Sequence, residues 1–251
     1  MIKVLILAIL QGVAEFLPIS SSGHLVIGRD FLGLGDAGMR LDLMLHVGTL
    51  VSIFAFYHRT IVRIIRNFEW AYVLKILVSA VPAVIVYFCF HDFVEGLFSN
   101  TRMVGALLMF TGAVLMGTRY LPRGMKEIGY GRALLMGLGQ ALAILPGISR
   151  SGMTLASARS GRTDPEKAAE FSFLMSAPLI VGGMLLDLLK GGAPAEASGL
   201  GWTELIVGAA VAAVVGYVSL AVLVKALKGK WFWLFGPYCL AAGLAVLVFA
   251  R

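Results

Sequence analysis

The sequence predicts an all-α integral membrane protein, with six spanning helices plus two re-entrant helix pairs in inverted-topology repeats. Three observations carry that prediction. The 251 residues are 59% hydrophobic and 14% charged, the balance of a bilayer-embedded chain rather than a soluble domain. The charges collect at the ends of apolar runs. Two polar, proline-broken knots, at 11–24 and 145–152, interrupt apolar segments in the same way.

The first knot follows an apolar run over 2–10 and contains Gln11, Glu15, Pro18, Ser20, Ser21, Ser22, Gly23 and His24. Gln11 and Glu15 are four residues apart and share one helical face. Pro18 breaks the helix. The apolar run that resumes at Leu25 begins a second half-segment, and neither half is long enough to cross a bilayer alone. Non-helical backbone at membrane depth survives only where it is buried in protein or lines a wet cavity. An ionisable residue there points to function. The Ser-Ser-Ser-Gly run opening a new half-helix offers unpaired N–H groups and a positive dipole end to an anion.

A glycine-containing loop is expected over 29–40, then a span over 41–57 followed by Arg59, Arg63 and Arg66. A span over 71–90 ends in an acidic loop with Asp92 and Glu95, and a shorter one over 103–118 is followed by Arg119, Arg123, Lys126 and Arg132. The segment 133–158 repeats the opening pattern, its knot holding Pro146, Gly147, Ser149, Arg150, Ser151 and Gly152. Arg159, Arg162 and Lys167 close it, and a span over 168–189 leads to a small-residue loop over 191–201. Spans over 205–224 and 231–249 flank Lys225, Lys228 and Lys230. Trp70, Trp202, Trp231 and Trp233 fall at segment ends, as an interfacial aromatic belt requires.

Shifting the chain by 129 positions lays Gln11 on Gln140, Ile19 on Ile148, Ser20 on Ser149, Ser22 on Ser151 and Gly23 on Gly152. One gapless register around the same broken knot argues for duplication. We therefore expect one membrane domain, 1–251, with repeat halves of approximately 1–120 and 130–251. Three spans separate the knots, so they enter from opposite faces and meet near the midplane, as in an inverted repeat. The more basic face is cytoplasmic by the positive-inside rule, which puts the 59–66 loop inside and the 191–201 loop outside. The net charge of +7 reflects these topology determinants, and no nucleic-acid partner is expected. Cys89 and Cys239 lie in apolar stretches and read as small buried hydrophobes. The N-terminal apolar run has no Ala-x-Ala site and is expected to be retained.

The knots are not equivalent. Glu15 maps onto Ile144, Ser21 onto Arg150 and His24 onto Met153, so the two together would form one asymmetric site. Arg150 can hold a phosphate bidentately. Glu15, helped by Gln11, can hold a divalent cation through oxygen. His24 can move a proton or attack phosphorus, and Ser21 or Ser22 can serve as nucleophile or phosphate donor. Ser20, Ser22, Gly23, Ser149, Ser151 and Gly152 are the expected phosphate-binding residues, and one of the first three serines caps the half-helix. That inventory fits metal-assisted phosphoryl transfer. Asp42 and His46, four apart, form either a proton relay or a mutual pair. Asp187 is expected to pair with Lys190, and Glu170 and Ser176 to support the second knot.

Gln11-x-x-x-Glu15 with Pro-Ile-Ser-Ser-Ser-Gly-His resembles the (E/Q)xxxE signature of the undecaprenyl-diphosphate phosphatases. Pro146 to Gly152 resembles their PGxSRSG signature. The resemblance extends over the whole chain. It implies a hydrolase acting on a phosphoric anhydride, which converts undecaprenyl diphosphate to the monophosphate and so recycles the carrier lipid of cell-wall synthesis. It also implies a divalent metal (Mg2+ or Ca2+) and bacitracin tolerance on overexpression. A multi-pass bacterial inner-membrane location with the site open to the extracytoplasmic side is expected, and the assembly, a homodimer among the options, is left open. Catalytic roles are expected of Glu15, Ser21, His24 and Arg150, with Gln11 and Glu15 on the metal. Broken helices in inverted repeats also occur in transporters, so a carrier or flippase for a polyprenyl phosphate is the competing expectation.

Overall fold

A computed structural model describes residues 1–33, 38–98, 100–122, 124–189 and 200–249. Among these the architecture is all-helical, with a lone β-bridge between Lys126 and Thr163. The helices are α1 (Ile2–Ala14), α2 (Ser21–Leu32), α3 (Gly38–Phe56), α4 (His58–Arg66), α5 (Trp70–Phe98), α6 (Thr101–Gly117), α7 (Tyr130–Leu142), α8 (Arg150–Ser160), α9 (Pro165–Leu189), α10 (Trp202–Gly229) and α11 (Phe235–Phe249). Five segments, carried by α5, α6, α9, α10 and the stretch Phe232–Phe249, are long and apolar enough to cross a bilayer, and the bent pair α3 and α4 makes a sixth. The chain is a multi-pass membrane protein.

Both expected breaks occur, and proline chemistry sets where. A proline lacks the N–H that would reach the carbonyl four residues back, and its ring crowds that carbonyl. Four residues before Pro18 is Ala14, the last residue of α1, and four before Pro146 is Leu142, the last of α7. Each break ends in a single non-helical serine, Ser20 or Ser149, before the next helix starts. Gly147 has a φ of 96°, and a Cβ there would sit 2.4 Å from the Val104 carbonyl. Only glycine meets both demands.

Three expected boundaries move. The 29–40 loop is shorter, because α2 continues through Arg29 to Leu32 and α3 starts at Gly38; Gly35 lies outside the described residues. The first full span does not run straight on: it bends by 67° at Tyr57 into α4, which carries Arg59, Arg63 and Arg66. The acidic loop after 90 is helical, with a kink at Phe90 (φ −129°, ψ 19°) and α5 continuing to Phe98. Polarity alone had marked that stretch as a loop, and the helix carries its polar residues past the kink instead.

Helix α1 packs on α10 and α7 on α5, while α6 packs on α11. The α6–α11 crossing is backbone to backbone. A Cβ on Gly105 would lie 3.0 Å from the Gly243 carbonyl, and one on Gly112 2.8 Å from the Gly236 carbonyl. The contacts are reciprocal at 2.7 Å for Gly236 on Gly112 and 2.5 Å for Gly243 on Gly105. Low positions on α6 thus meet high positions on α11, so the two helices run antiparallel. Small residues allow such close approach in lipid, where packing replaces the hydrophobic effect as the adhesive.

The charged ends segregate. At one end Arg63 Nη2 lies 3.6 Å from Glu170, Lys228 pairs with Glu166, Lys167 pairs with Glu127, and Arg119 stacks over Trp233 at 4.7 Å. At the other, the Met1 amino group meets Glu204 at 3.0 Å and Arg40 stacks over Trp202 at 5.7 Å. The 191–201 loop and the Asp187–Lys190 pairing lie outside the described residues, apart from Leu200 and Gly201.

Candidate active site

The two knots touch. Ser151 Oγ donates to the Leu17 carbonyl at 3.3 Å, and a Cβ on Gly23 would lie 3.3 Å from Gly147 Cα. At their junction Glu15, only 7% exposed, draws partners from four helices. Its Oε1 accepts from Arg150 Nη2 at 2.5 Å. Its Oε2 accepts from Ser21 Oγ at 2.7 Å and from Gln11 Nε2 at 3.2 Å, with His46 Nε2 3.7 Å away. A buried carboxylate is tolerable only with this kind of compensation. The pair rests on an aromatic floor, since the Arg150 guanidinium lies 5.5 Å over Phe173 and Phe173 packs on Phe16 at 5.4 Å.

Both half-helices start with a serine cap. Ser20 Oγ accepts from Gly23 N at 3.4 Å and Ser149 Oγ from Gly152 N at 3.1 Å, so Ser20 is the capping serine of its trio. Ser22 and Ser151 sit beside the caps, with Oγ–Oγ separations of 3.4 and 3.3 Å. Ser20 holds a φ of 68°, a left-handed conformation that costs a non-glycine residue on the order of 1–2 kcal/mol. Thr111 of α6 braces the second knot by donating to the Gly147 carbonyl and accepting from Ser149 N, both at 3.1 Å.

Two polar atoms at this junction find no protein partner, and they are of opposite kind. Arg150 Nη1, a donor, is buried and unpaired, as is the Gln11 acceptor Oε1. The Gln11 amide orientation follows from chemistry: a carboxylate only accepts, so Nε2 faces Glu15 and Oε1 faces away. An unpaired guanidinium N–H and an unpaired amide oxygen, both on side chains bonded to Glu15, suit an anion that arrives with a cation. One carboxylate with one amide oxygen is the sparse protein contribution that Mg2+ accepts when a phosphate supplies further oxygens. Among the described residues there is no cluster of three His, Cys, Asp or Glu side chains that could hold a metal alone.

Three expectations change. His24 does not join Glu15. Its Nε2 lies 2.7 Å from Tyr238 Oη and its Nδ1 2.9 Å from the Ser20 carbonyl. Asp42 and His46 do not pair side chain to side chain: His46 Nδ1 reaches the Asp42 carbonyl at 2.8 Å, while the Asp42 carboxylate pairs with Arg29 at 3.1 Å. His46 therefore faces the site and Asp42 the loop end. Glu170 does not support the second knot either. It receives Thr60 Oγ1 at 2.7 Å and Arg63 at the α3–α4 bend, whereas Ser176 donates to its own helix, at the Phe173 carbonyl.

The family model described as bacitracin resistance protein BacA matches residues 4–245. This chain belongs to the BacA family. Curated relatives agree along the full length. An "Undecaprenyl-diphosphatase" of Pelotomaculum thermopropionicum is 40% identical, covering 99% of this chain and 96% of the relative. "Undecaprenyl-diphosphatase 4" of Bacillus thuringiensis subsp. konkukian is 38% identical over 98% and 96%. A Halothermothrix orenii "Undecaprenyl-diphosphatase" is 37% identical over 99% and 97%.

Within this BacA member, sequence reasoning missed Tyr238, Thr111 and Phe173. None lies in a knot, and spacing cannot reveal a helix arriving from elsewhere in the chain. Gln140 had a usable signal. It is the repeat partner of Gln11, it is buried, and neither of its amide atoms finds a protein partner.

Proposed function

We propose that the chain hydrolyses undecaprenyl diphosphate to undecaprenyl phosphate and inorganic phosphate, with Glu15, Ser21, His24 and Arg150 as its working residues. The observation that carries the reading is the Glu15–Arg150–Ser21 constellation built from both knots. Ser21 is the hydroxyl seated on the carboxylate, so it can attack the terminal phosphorus while its proton passes to Glu15 Oε2. The phosphorus–oxygen bond to the lipid phosphate breaks, and the monophosphate leaves. Water then cleaves the phosphoserine, and the proton held on Glu15 leaves with the product. Arg150 is positioned to clamp the equatorial oxygens, and the serine-capped half-helix starts add N–H donors and positive dipole ends. When bound, a Mg2+ or Ca2+ ion at Glu15 and Gln11 would neutralise diphosphate charge.

The same features support a membrane placement. The polar path Glu15, His46, Asp42, Arg29 climbs α3 toward the end that holds Met1 and Glu204. By the charge asymmetry that end is extracytoplasmic, which opens the site away from the cytoplasm of a bacterial inner membrane. The antiparallel glycine crossing supports two halves in inverted repeat: Gly105 and Gly112 map onto Gly236 and Gly243 at a constant offset of 131.

Purified protein in detergent, given farnesyl diphosphate, should release inorganic phosphate, and Ser21→Ala should not. Brief exposure to substrate labelled in its terminal phosphate should label the wild-type protein and leave Ser21→Ala unlabelled. A protein that moves polyprenyl phosphate across vesicles without releasing phosphate would favour the carrier reading. A Ser21→Ala variant that turns over normally would move the attack to water or His24.

A further inference from the structure

We propose that Tyr238 is a positioning residue for His24, one that fixes the ring's orientation before substrate arrives. The proposal rests on His24 being a working group of the phosphatase site, and the experiment below separates the two.

Chemistry fixes the tautomer of His24. Its Nδ1 lies 2.9 Å from the Ser20 carbonyl, and a carbonyl can only accept, so Nδ1 carries the proton. The same carbonyl also accepts the His24 main-chain N–H at 3.2 Å. The left-handed Ser20 turns that oxygen along the start of α2, where both donors reach it. The neutral ring then has its lone pair on Nε2. Tyr238 Oη, 2.7 Å away, donates into that lone pair, and the two rings stack with centroids 5.7 Å apart and 13° between planes. Both ring nitrogens are thereby held.

Tyr238 is itself firmly placed. The next residue, Cys239, is fully buried and its thiol donates to the Pro18 carbonyl at 3.4 Å. Two residues earlier, Gly236 lies against the Gly112 backbone. Helix α11 is therefore pinned on one side to α6 and on the other to the first knot. From there it presents one phenol to the knot's histidine. The sequence separation of 214 residues explains why no motif records this contact. Without the hydroxyl, the imidazole keeps its tautomer through Ser20 but gains freedom about its terminal torsion. Its Nε2 is then aimed correctly only part of the time. Orientation of this kind acts on turnover rather than on substrate anchoring.

The test uses the full chain, purified in detergent, with farnesyl diphosphate as probe. Tyr238→Phe preserves the stack and the apolar face and removes only the hydroxyl. It should lower kcat about tenfold, the worth of one neutral hydrogen bond, and leave KM within about twofold. In a His24→Ala background the same substitution should cost nothing further, because its effect runs through the ring. The imidazole 15N spectrum gives a readout independent of turnover: the Nε2 resonance of His24 should move toward that of an unbonded ring nitrogen in Tyr238→Phe. Wild-type kcat in Tyr238→Phe, an unchanged Nε2 resonance, or an equal loss with and without His24 overturns the proposal. Wild-type kcat in His24→Ala is a different failure and removes His24 from the site altogether.

Discussion

At the scale of the residue, the site is one carboxylate holding three donors. Removing any single partner leaves the others wrongly charged or unpaired, which in a buried pair costs about 3–5 kcal/mol. An alanine at Arg150 therefore confounds folding with chemistry, and lysine separates them. Arg150→Lys keeps the charge beside Glu15 and loses the planar fork. It should purify with a thermal midpoint close to wild type, yet lose about a hundred- to thousand-fold in phosphate release; a lysine variant with most of its activity would reduce the second knot to scaffolding. Glu15→Gln removes the one carboxylate of the two knots. It should abolish most turnover, and whatever remains should no longer respond to a chelator. Glu15, Arg150 and Ser21 could be named from the chain alone, because charge in an apolar segment is costly enough to be informative. Tyr238 and Phe173 could not, since an aromatic in an apolar helix looks the same whether it faces lipid or a histidine.

At the scale of the element, glycine does two different jobs, and substitution should tell them apart. A Cβ on Gly243 would meet the Gly105 carbonyl at 2.5 Å, whereas one on Gly183 in α9 meets nothing within 4 Å. Gly243→Ala should lower the thermal midpoint in detergent by forcing α6 and α11 apart, an overpacking cost of about 1–3 kcal/mol. Gly183→Ala should leave it unchanged or raise it, since alanine is the better helix former by about 1 kcal/mol. Equal effects at the two positions would mean that the crossing is not backbone-limited. Both breaks were legible because proline acts on the carbonyl four residues back whatever the surroundings. The 67° bend at Tyr57 was not: no proline or glycine marks it, and the amphipathic α4 was read as a basic loop after the span. The helical run past Phe90 escaped for the converse reason, that acidic residues near a span end look the same in a helix as in a loop.

At the scale of the whole molecule, topology is open to direct measurement. Cysteines introduced singly at Asn67, between α4 and α5, and at Arg102, at the start of α6, sit at opposite ends of α5. The background would carry Cys89→Ala and Cys239→Ala. An impermeant thiol reagent applied to intact cells should label the cysteine at 102 and spare the one at 67; the reverse pattern would invert the molecule in the membrane. The segments could be read from hydropathy. The way the halves embrace could not, because the glycine crossing offers no apolar pattern of its own. The embrace also has a consequence for how the protein is made. Glu15 and Arg150 are 135 residues apart, so the ribosome delivers the carboxylate long before the guanidinium that neutralises it. Until α8 is synthesised, the first knot holds an acid without its guanidinium partner, and an unpaired charge in an apolar helix is disfavoured by about 2.5–3.5 kcal/mol. The growing chain can therefore seat its opening hairpin only provisionally. Closure of the knot waits for the second half, and a chain that stops before α8 lacks the Glu15–Arg150 pair.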